Sequence, residues 1–349
     1  MRAGTRPCAA SFLSLLSFFG VWVYSPFIPV GAVCHSLAKV RSSSAASYRD
    51  DWREHLPLLG LCAYYSYRFF FKNGFWSTGH NAYSSTIFGE KCSYFKRQSI
   101  TVVDGKKHPV RVNDHQLLSF HPHGALSVGW TLANASRTLS LGPEVEGGVV
   151  SCTSSSSSKA VGLVNWLVAP LLMHLPLLSE VLSWNSVTSA SKESMTSLMS
   201  LGRNIGLLTG GFNSAALFTY GKHRCYVKRR KGFIKLCLVH GYEVRPCYSF
   251  GEEKTFWTFN AFEKFRCNVL AEYNIPPVLF LGQYLGVLPY SEINVDVVVG
   301  RAIKMPKIDN PSKEDVEKYH AVYVEALLAL FDEWKVKFGY EKDEKLELL

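Results

Sequence analysis

Leu117-Leu118-Ser119-Phe120-His121-Pro122-His123-Gly124-Ala125-Leu126-Ser127-Val128-Gly129 is the stretch around which the chain is organised. Its first four residues are mainly apolar and predict a short buried strand. Pro122 and Gly124 then force a turn that carries two imidazoles out of a sheet. On an extended backbone, residues two apart point to one side, roughly 6–7 Å apart, so one substrate proton is not easily held by both rings. The chemistry this pattern favours is a general base near neutral pH from one of His121 and His123, with the other orienting it or donating a hydrogen bond. Spacing leaves open which ring does which. The plainer reading is a pair of turn histidines bonded to nearby carbonyls. A metal site is weaker, because no third Cys or His falls at a recognised spacing.

Working outward, the chain is long enough, at 349 residues with 47% hydrophobic and 13% aromatic content, to bury a sizeable core. Charged residues make up 19%, below the usual share of about a quarter, which suggests that part of the surface faces lipid. The net charge of +10 fits an anionic membrane surface or a phosphorylated substrate. No nucleic-acid motif accompanies it, so nucleic acid is not expected as a partner. The nine cysteines are scattered, with no C-x-x-C pair, against a disulfide scaffold or zinc cluster and for a reducing compartment.

Upstream, residues 7–38 hold no Asp, Glu, Lys or Arg. A cleaved signal peptide fits this basic start and apolar run. An uncleaved anchor fits it too, since the run is long enough to cross or re-enter a bilayer. The anchor is favoured, because the chemistry downstream needs a membrane and a reducing compartment. Residues 1–40 are therefore read as a hydrophobic membrane anchor, and 41–99 as a linker with an aromatic stretch, Leu56–Phe71, suited to an interface helix or a core helix. Residues 100–349 are read as one α/β domain. Short apolar runs at 117–120, 147–152, 205–208, 242–250 and 293–299 alternate with helix-like segments, as βαβ units require. Thr153 and the serines at 154–158 read as a loop, and the apolar residues 160–182, broken by Pro170 and Pro176, as a kinked, lipid-contacting helix pair.

Two downstream features carry chemistry. Thr209-Gly210-Gly211 follows a strand, and glycine amides there, or near Gly124, are candidates to hold an oxyanion. The block 222–235 holds seven Lys and Arg residues, including Arg230 and Lys231. Gly232 opens a helix ending at Gly241, so cations and a helix N-terminus together suit a phosphate. The alternatives are a solvated basic face or a patch against anionic lipid. Finally, Ser312 predicts the N-cap of a last helix, whose stripe through Tyr323, Leu327 and Leu330 reads as core packing.

The His-Pro-His-Gly quartet at 121–124, Arg230-Lys231-Gly232-Phe233, Pro246-Cys247-Tyr248-Ser249-Phe250-Gly251-Glu252 and the motif from Leu330 to Gly339 resemble the type-2 diacylglycerol acyltransferase family. That family includes monoacylglycerol and wax-alcohol acyltransferases. Several blocks in order over about residues 50–340 are far more specific than one motif. The resemblance implies an acyltransferase-like α/β sheet flanked by helices, with N-terminal membrane-embedded segments, in the endoplasmic reticulum membrane facing the cytosol. It implies transfer of a fatty acyl group from acyl-coenzyme A, as co-substrate, to the hydroxyl of diacylglycerol, giving triacylglycerol. No cofactor is expected, and a homo-oligomer is compatible with it. Other outcomes are a monoacylglycerol or long-chain alcohol acceptor, or an inactive lipid-binding homologue. Catalysis would fall to His121 and His123 and coenzyme binding to Arg230, Lys231 and Gly232. The chain departs from the pattern at Ser214, where family members commonly carry Glu. The Asp that the wider acyltransferase pattern places after its histidine is also missing, with Leu126 and Val128 there. A carboxylate partner for the base must come from elsewhere, and Glu252 is the choice.

Overall fold

The computed structural model describes residues 9–42, 55–71, 94–105, 109–111, 113–135, 139, 164–185, 187–259, 261, 263–273, 277–284 and 286–349. Of the expected elements, the strand at 147–152 and the loop at 153–158 lie outside these residues.

Eight strands form one mixed sheet: β1 (Arg97–Val102), β2 (Gln116–His121), β3 (Asn165–Val168), β4 (Val187–Ser189), β5 (Ile205–Leu207), β6 (Glu243–Phe250), β7 (Asn294–Val299) and β8 (Ile303–Lys304). Their order is β1-β7-β6-β2-β5-β3-β4, with β8 also on β6. β6, β2, β5, β3 and β4 run parallel, whereas β7 is antiparallel to β6. The helices are α1 (Ala9–Tyr24), α2 (Phe27–Ser42), α3 (Leu56–Phe71), α4 (Val128–Ala135), α5 (Leu178–Trp184), α6 (Lys192–Ser200), α7 (Gly211–Ala216), α8 (Gly232–His240), α9 (Glu263–Tyr273) and α10 (Lys313–Lys335).

Strand β2 lies inside the sheet, which explains its unbroken apolar run: both of its faces are covered, and all six residues are buried. The period of two sends Leu118 and Phe120 into a cluster with Trp130 of α4, Trp166 of β3 and Leu15, Phe18 and Phe19 of α1. Leu117 enters the opposite cluster, with Phe233 and Ile234 of α8 and Tyr323 of α10. Helix α10 starts as its sequence predicts, with Ser312 and Asp315 forming a reciprocal capping box. Helix α8 ends on Gly241 at φ 67°, where only glycine is at ease.

One expectation fails. Residues 160–182 do not make a helix pair; their described part is strand β3, a 3-10 turn at Pro170–His174 and the short helix α5. The hydrophobicity that suggested lipid contact belongs to an interior parallel strand, whose Trp166, Leu167 and Val168 are all buried. The N-terminal run is helical but broken: α1 and α2 meet at a 52° bend. Among the described residues no single helix is long and apolar enough to cross a membrane, and only this pair together is. Helix α3 is not a core helix, since Leu56, Leu59, Tyr65 and Tyr67 are exposed. Arg68 fastens it to α5 through Glu180 at 3.0 Å.

Candidate active site

The site is built at the carboxyl end of β2, where the strand stops and α4 begins. Ser119 and His121 share the face of Leu117, so their side chains enter the layer beneath α8 and α10. His121 is completely buried. Its Nε2 lies 2.8 Å from the Tyr323 hydroxyl, 3.0 Å from Thr209 Oγ1 and 3.3 Å from Ser119 Oγ. Ser119 itself bonds Thr209 at 2.9 Å and the Tyr323 hydroxyl. Nδ1 of His121 has no partner among the described residues. Burial pushes the imidazole pKa down to about 3, so this ring is neutral at any physiological pH.

His123, two residues on, is in a different environment. The turn carries it off the strand line, and it remains partly exposed. Its Nδ1 lies 3.1 Å from the Gly124 carbonyl oxygen and 3.2 Å from Ser127 Oγ. An Nδ1–H donated to that carbonyl leaves the Nε2 lone pair available as a proton acceptor. Enclosure by the turn lowers its pKa to about 4, with the Gly124 bond acting in the opposite direction. Ser127 holds φ at 55°, a conformation costing a serine about 1–3 kcal/mol, and such strain is often kept where a side chain must be aimed.

Glu252 does not partner either imidazole. Its Oε1 accepts the Val128 N–H at 3.0 Å and its Oε2 the Gly129 N–H at 2.6 Å, so the carboxyl group caps α4. It is completely buried, and desolvation raises its pKa to about 8 against the pull of those two amides. The glycines around it are dictated by this packing. A Cβ on Gly124 (φ 67°) would fall 1.9 Å from Glu252 Oε1, and one on Gly129 would fall 2.1 Å from Ser249 Oγ. In the structure Glu252 thus braces the turn on which His123 stands.

The glycine pair and the basic block come together. Gly211 donates its N–H to the Leu208 carbonyl at 3.1 Å. Gly210 is the residue before α7 and lies against Ser214, whose Cβ would be 2.5 Å from a Cβ added there. Arg230 lies over Gly211 and donates from Nη2 to Asn213 Oδ1 at 2.9 Å. Lys231 instead turns away to pair with Glu317 of α10, and Arg224 is held by Glu347 at 2.6 and 3.2 Å. A cavity of about 800 Å³ opens here, lined by Lys192, Thr209, Arg230, Gly232, Phe233 and Lys235 among others. Thr209 thus touches both this cavity and His121, and Gly232 and Phe233 at the N-terminus of α8, which has no side-chain cap, also line the cavity. The cations and the helix N-terminus that line it suit an anionic group.

A family model described as diacylglycerol acyltransferase matches residues 57–349. The chain belongs to this family. Diacylglycerol O-acyltransferase 2 of Mus musculus is 30% identical over 266 residues, covering 70% of this chain and 62% of that protein, less than two thirds of its length. Acyl-CoA wax alcohol acyltransferase 2 of Homo sapiens is 29% identical over 262 residues, 70% of this chain and 73% of that one. The bovine 2-acylglycerol O-acyltransferase 1 is 32% identical over 248 residues, 66% and 68% of the two chains. A solved structure, the 1-acyl-sn-glycerophosphate acyltransferase of Thermotoga maritima, overlaps 90% of this chain and 93% of its own at 12% identity and a TM-score of 0.39.

Within this family member, sequence reasoning missed the three hydroxyls around His121. Ser119 was within reach of it, since a residue two before a strand histidine shares its face. Thr209 stood next to the glycine pair. Tyr323 was visible only as the one stripe member whose buried hydroxyl requires a partner.

Proposed function

We propose that this chain transfers a fatty acyl group from acyl-coenzyme A to the free hydroxyl of diacylglycerol, as an acyl-CoA:diacylglycerol O-acyltransferase. The observation that carries this reading is His123, with Nδ1 3.1 Å from the Gly124 carbonyl and, among the described residues, no hydrogen bond at Nε2, at a partly open turn. Nε2 takes the acceptor's proton as its oxygen attacks the thioester carbonyl. The C–S bond then breaks, and the imidazolium returns the proton to the coenzyme A thiolate. A thioester is already activated, so positioning and general-base help suffice without a covalent intermediate. The Gly124 amide is the donor assigned to the oxyanion. The cavity beside Arg230, Lys235 and the N-terminus of α8 suits the coenzyme's phosphates, and its apolar lining by Phe233 and Leu236 suits the less polar part of the donor.

The bent pair α1–α2 is together long and apolar enough to enter a bilayer, which supports a membrane location, and from its family we read that membrane as the endoplasmic reticulum with the sheet on the cytosolic side. Relatives named for diacylglycerol, 2-acylglycerol and wax alcohol lie at similar identities, so the acceptor is decided by assay. Membranes holding the protein, labelled acyl-coenzyme A and a panel of acceptors should yield labelled triacylglycerol, and His123→Ala should lower its rate by about 10²–10⁴-fold. Transfer to monoacylglycerol or a long-chain alcohol alone moves the assignment to that acceptor. A folded protein that transfers to none of them is a lipid-binding homologue, as Ser214 in place of the family glutamate motivates.

A further inference from the structure

Residues 257–284, between Glu252 and β7, carry a surface that neither the catalytic turn nor the coenzyme cavity uses. Of these 28 residues seven are aromatic and only four are charged. Trp257, Phe259, Phe265, Tyr273, Leu279 and Leu281 are each between 45 and 68% exposed. A soluble surface scatters such side chains singly, whereas a cluster of six on one short segment marks an interaction site. Its described residues are nevertheless folded. Trp257–Thr258 pairs antiparallel with Phe280–Leu281, Phe259 donates to the Leu279 carbonyl at 3.0 Å, and Phe256 stacks edge-on against Phe280 at 5.1 Å.

We propose that this lobe is a second lipid-contacting surface, seated in the same leaflet as the N-terminal helices and beside the catalytic turn. Two placements identify the occupant as lipid. Tyr284 meets Phe12 of α1 edge-on at 4.9 Å, and Phe280 packs against the cluster that holds Leu15, Phe18 and Phe19. The lobe is therefore continuous with the one bent pair apolar enough for a bilayer. Its exposed Trp, Tyr and Phe side chains, with aliphatic Leu beside them, are the types that settle at the headgroup boundary. Helix α9 of the lobe also packs on α7, which begins at the glycine pair beside Thr209. Seating the lobe in lipid thus brings the site to the level at which a long-chain acceptor lies. The inference takes its membrane from the reading above, but not its chemistry.

The test uses the full chain in phosphatidylcholine vesicles carrying a photoactivatable group on the acyl chain, with labelled peptides mapped by mass spectrometry. Label on peptides from 257–284 as well as from α1 and α2 is expected. Label confined to the N-terminal helices overturns the proposal. The double variant Phe265→Glu/Leu279→Glu changes two exposed positions outside the machinery. It should lose at least about tenfold in transfer to a vesicle-borne acceptor, since a carboxylate resists entry into lipid, and keep its rate on the same acceptor in detergent micelles. Unchanged vesicle activity overturns it as well. If no acceptor is acylated by the parent protein, labelling alone still decides the lobe, and the failure belongs to the chemistry proposed above.

Discussion

His121 and His123 are two residues apart and live in opposite worlds. The first ends an interior strand, and its ring is enclosed by hydroxyls from β2, from the segment after β5 and from α10. The second stands on a turn braced from below by Glu252 and keeps one nitrogen open. The difference teaches that a motif names the residues at a site without dividing the work among them. Burial decides that: a ring sealed among hydroxyls ties β2 to α10, and a ring held at one nitrogen can accept a proton at the other.

The largest effect that sharpens this contrast is the split between the two alanine variants. His123→Ala should lower kcat by about 10²–10⁴-fold with its melting temperature nearly unchanged. His121→Ala should cost about 2–4 kcal/mol of stability, because it opens a cavity and strands buried hydroxyls. Thermal melts beside initial rates read both, and the reverse pattern would exchange the two roles. Arg230→Ala should raise the KM for acyl-coenzyme A roughly tenfold, the worth of one charge-assisted contact, with kcat little changed. An unaltered KM would remove the cavity from the donor site.

Glu252→Gln should cost about 1–3 kcal/mol, since its amide nitrogen cannot accept one of the two α4 N–H groups. It should also change the pH dependence of stability. With a folded pKa of about 8, Glu252 holds a proton that the unfolded chain releases near 4.5. Its contribution therefore falls as pH rises from about 4.5 to 8, and the Gln variant should lack that slope. The two histidines act in the opposite sense. Their folded pKa values, about 3 and 4, lie below the ordinary 6.5, so stability is lost as pH falls through 6.5 towards those values. Urea titrations at several pH values separate the two slopes. The smallest effect belongs to Tyr323→Phe, which removes one hydroxyl from His121 and should cost about 1 kcal/mol while leaving kcat within a few-fold. A collapse in kcat there would make His121, not His123, the ring that handles the proton.

What could be read before folding was whatever depends on neighbours in the chain. The strand at β2, the turn forced by Pro122 and Gly124, the Ser312 cap, the Gly241 stop and the cluster of cations ahead of α8 are all local signals. Residues 160–182 show how such reading fails: a run apolar on both faces serves a lipid-bound helix and an interior parallel strand alike, and only the neighbours β4 and β5 distinguish them.

By itself the sequence determined that an α/β sheet would deliver a His-Pro-His-Gly turn and, later in the chain, a cationic helix start, because prolines, glycines, caps and periodicity act over a few residues. Tertiary structure alone decided that Thr209 and Tyr323, 88 and 202 residues away from His121, would close over one imidazole and leave the other open. It also decided that Glu252 would serve the backbone of α4 instead of a ring. Those outcomes depend on which surfaces the sheet order presses together and where water is excluded, and neither quantity belongs to any short stretch of chain.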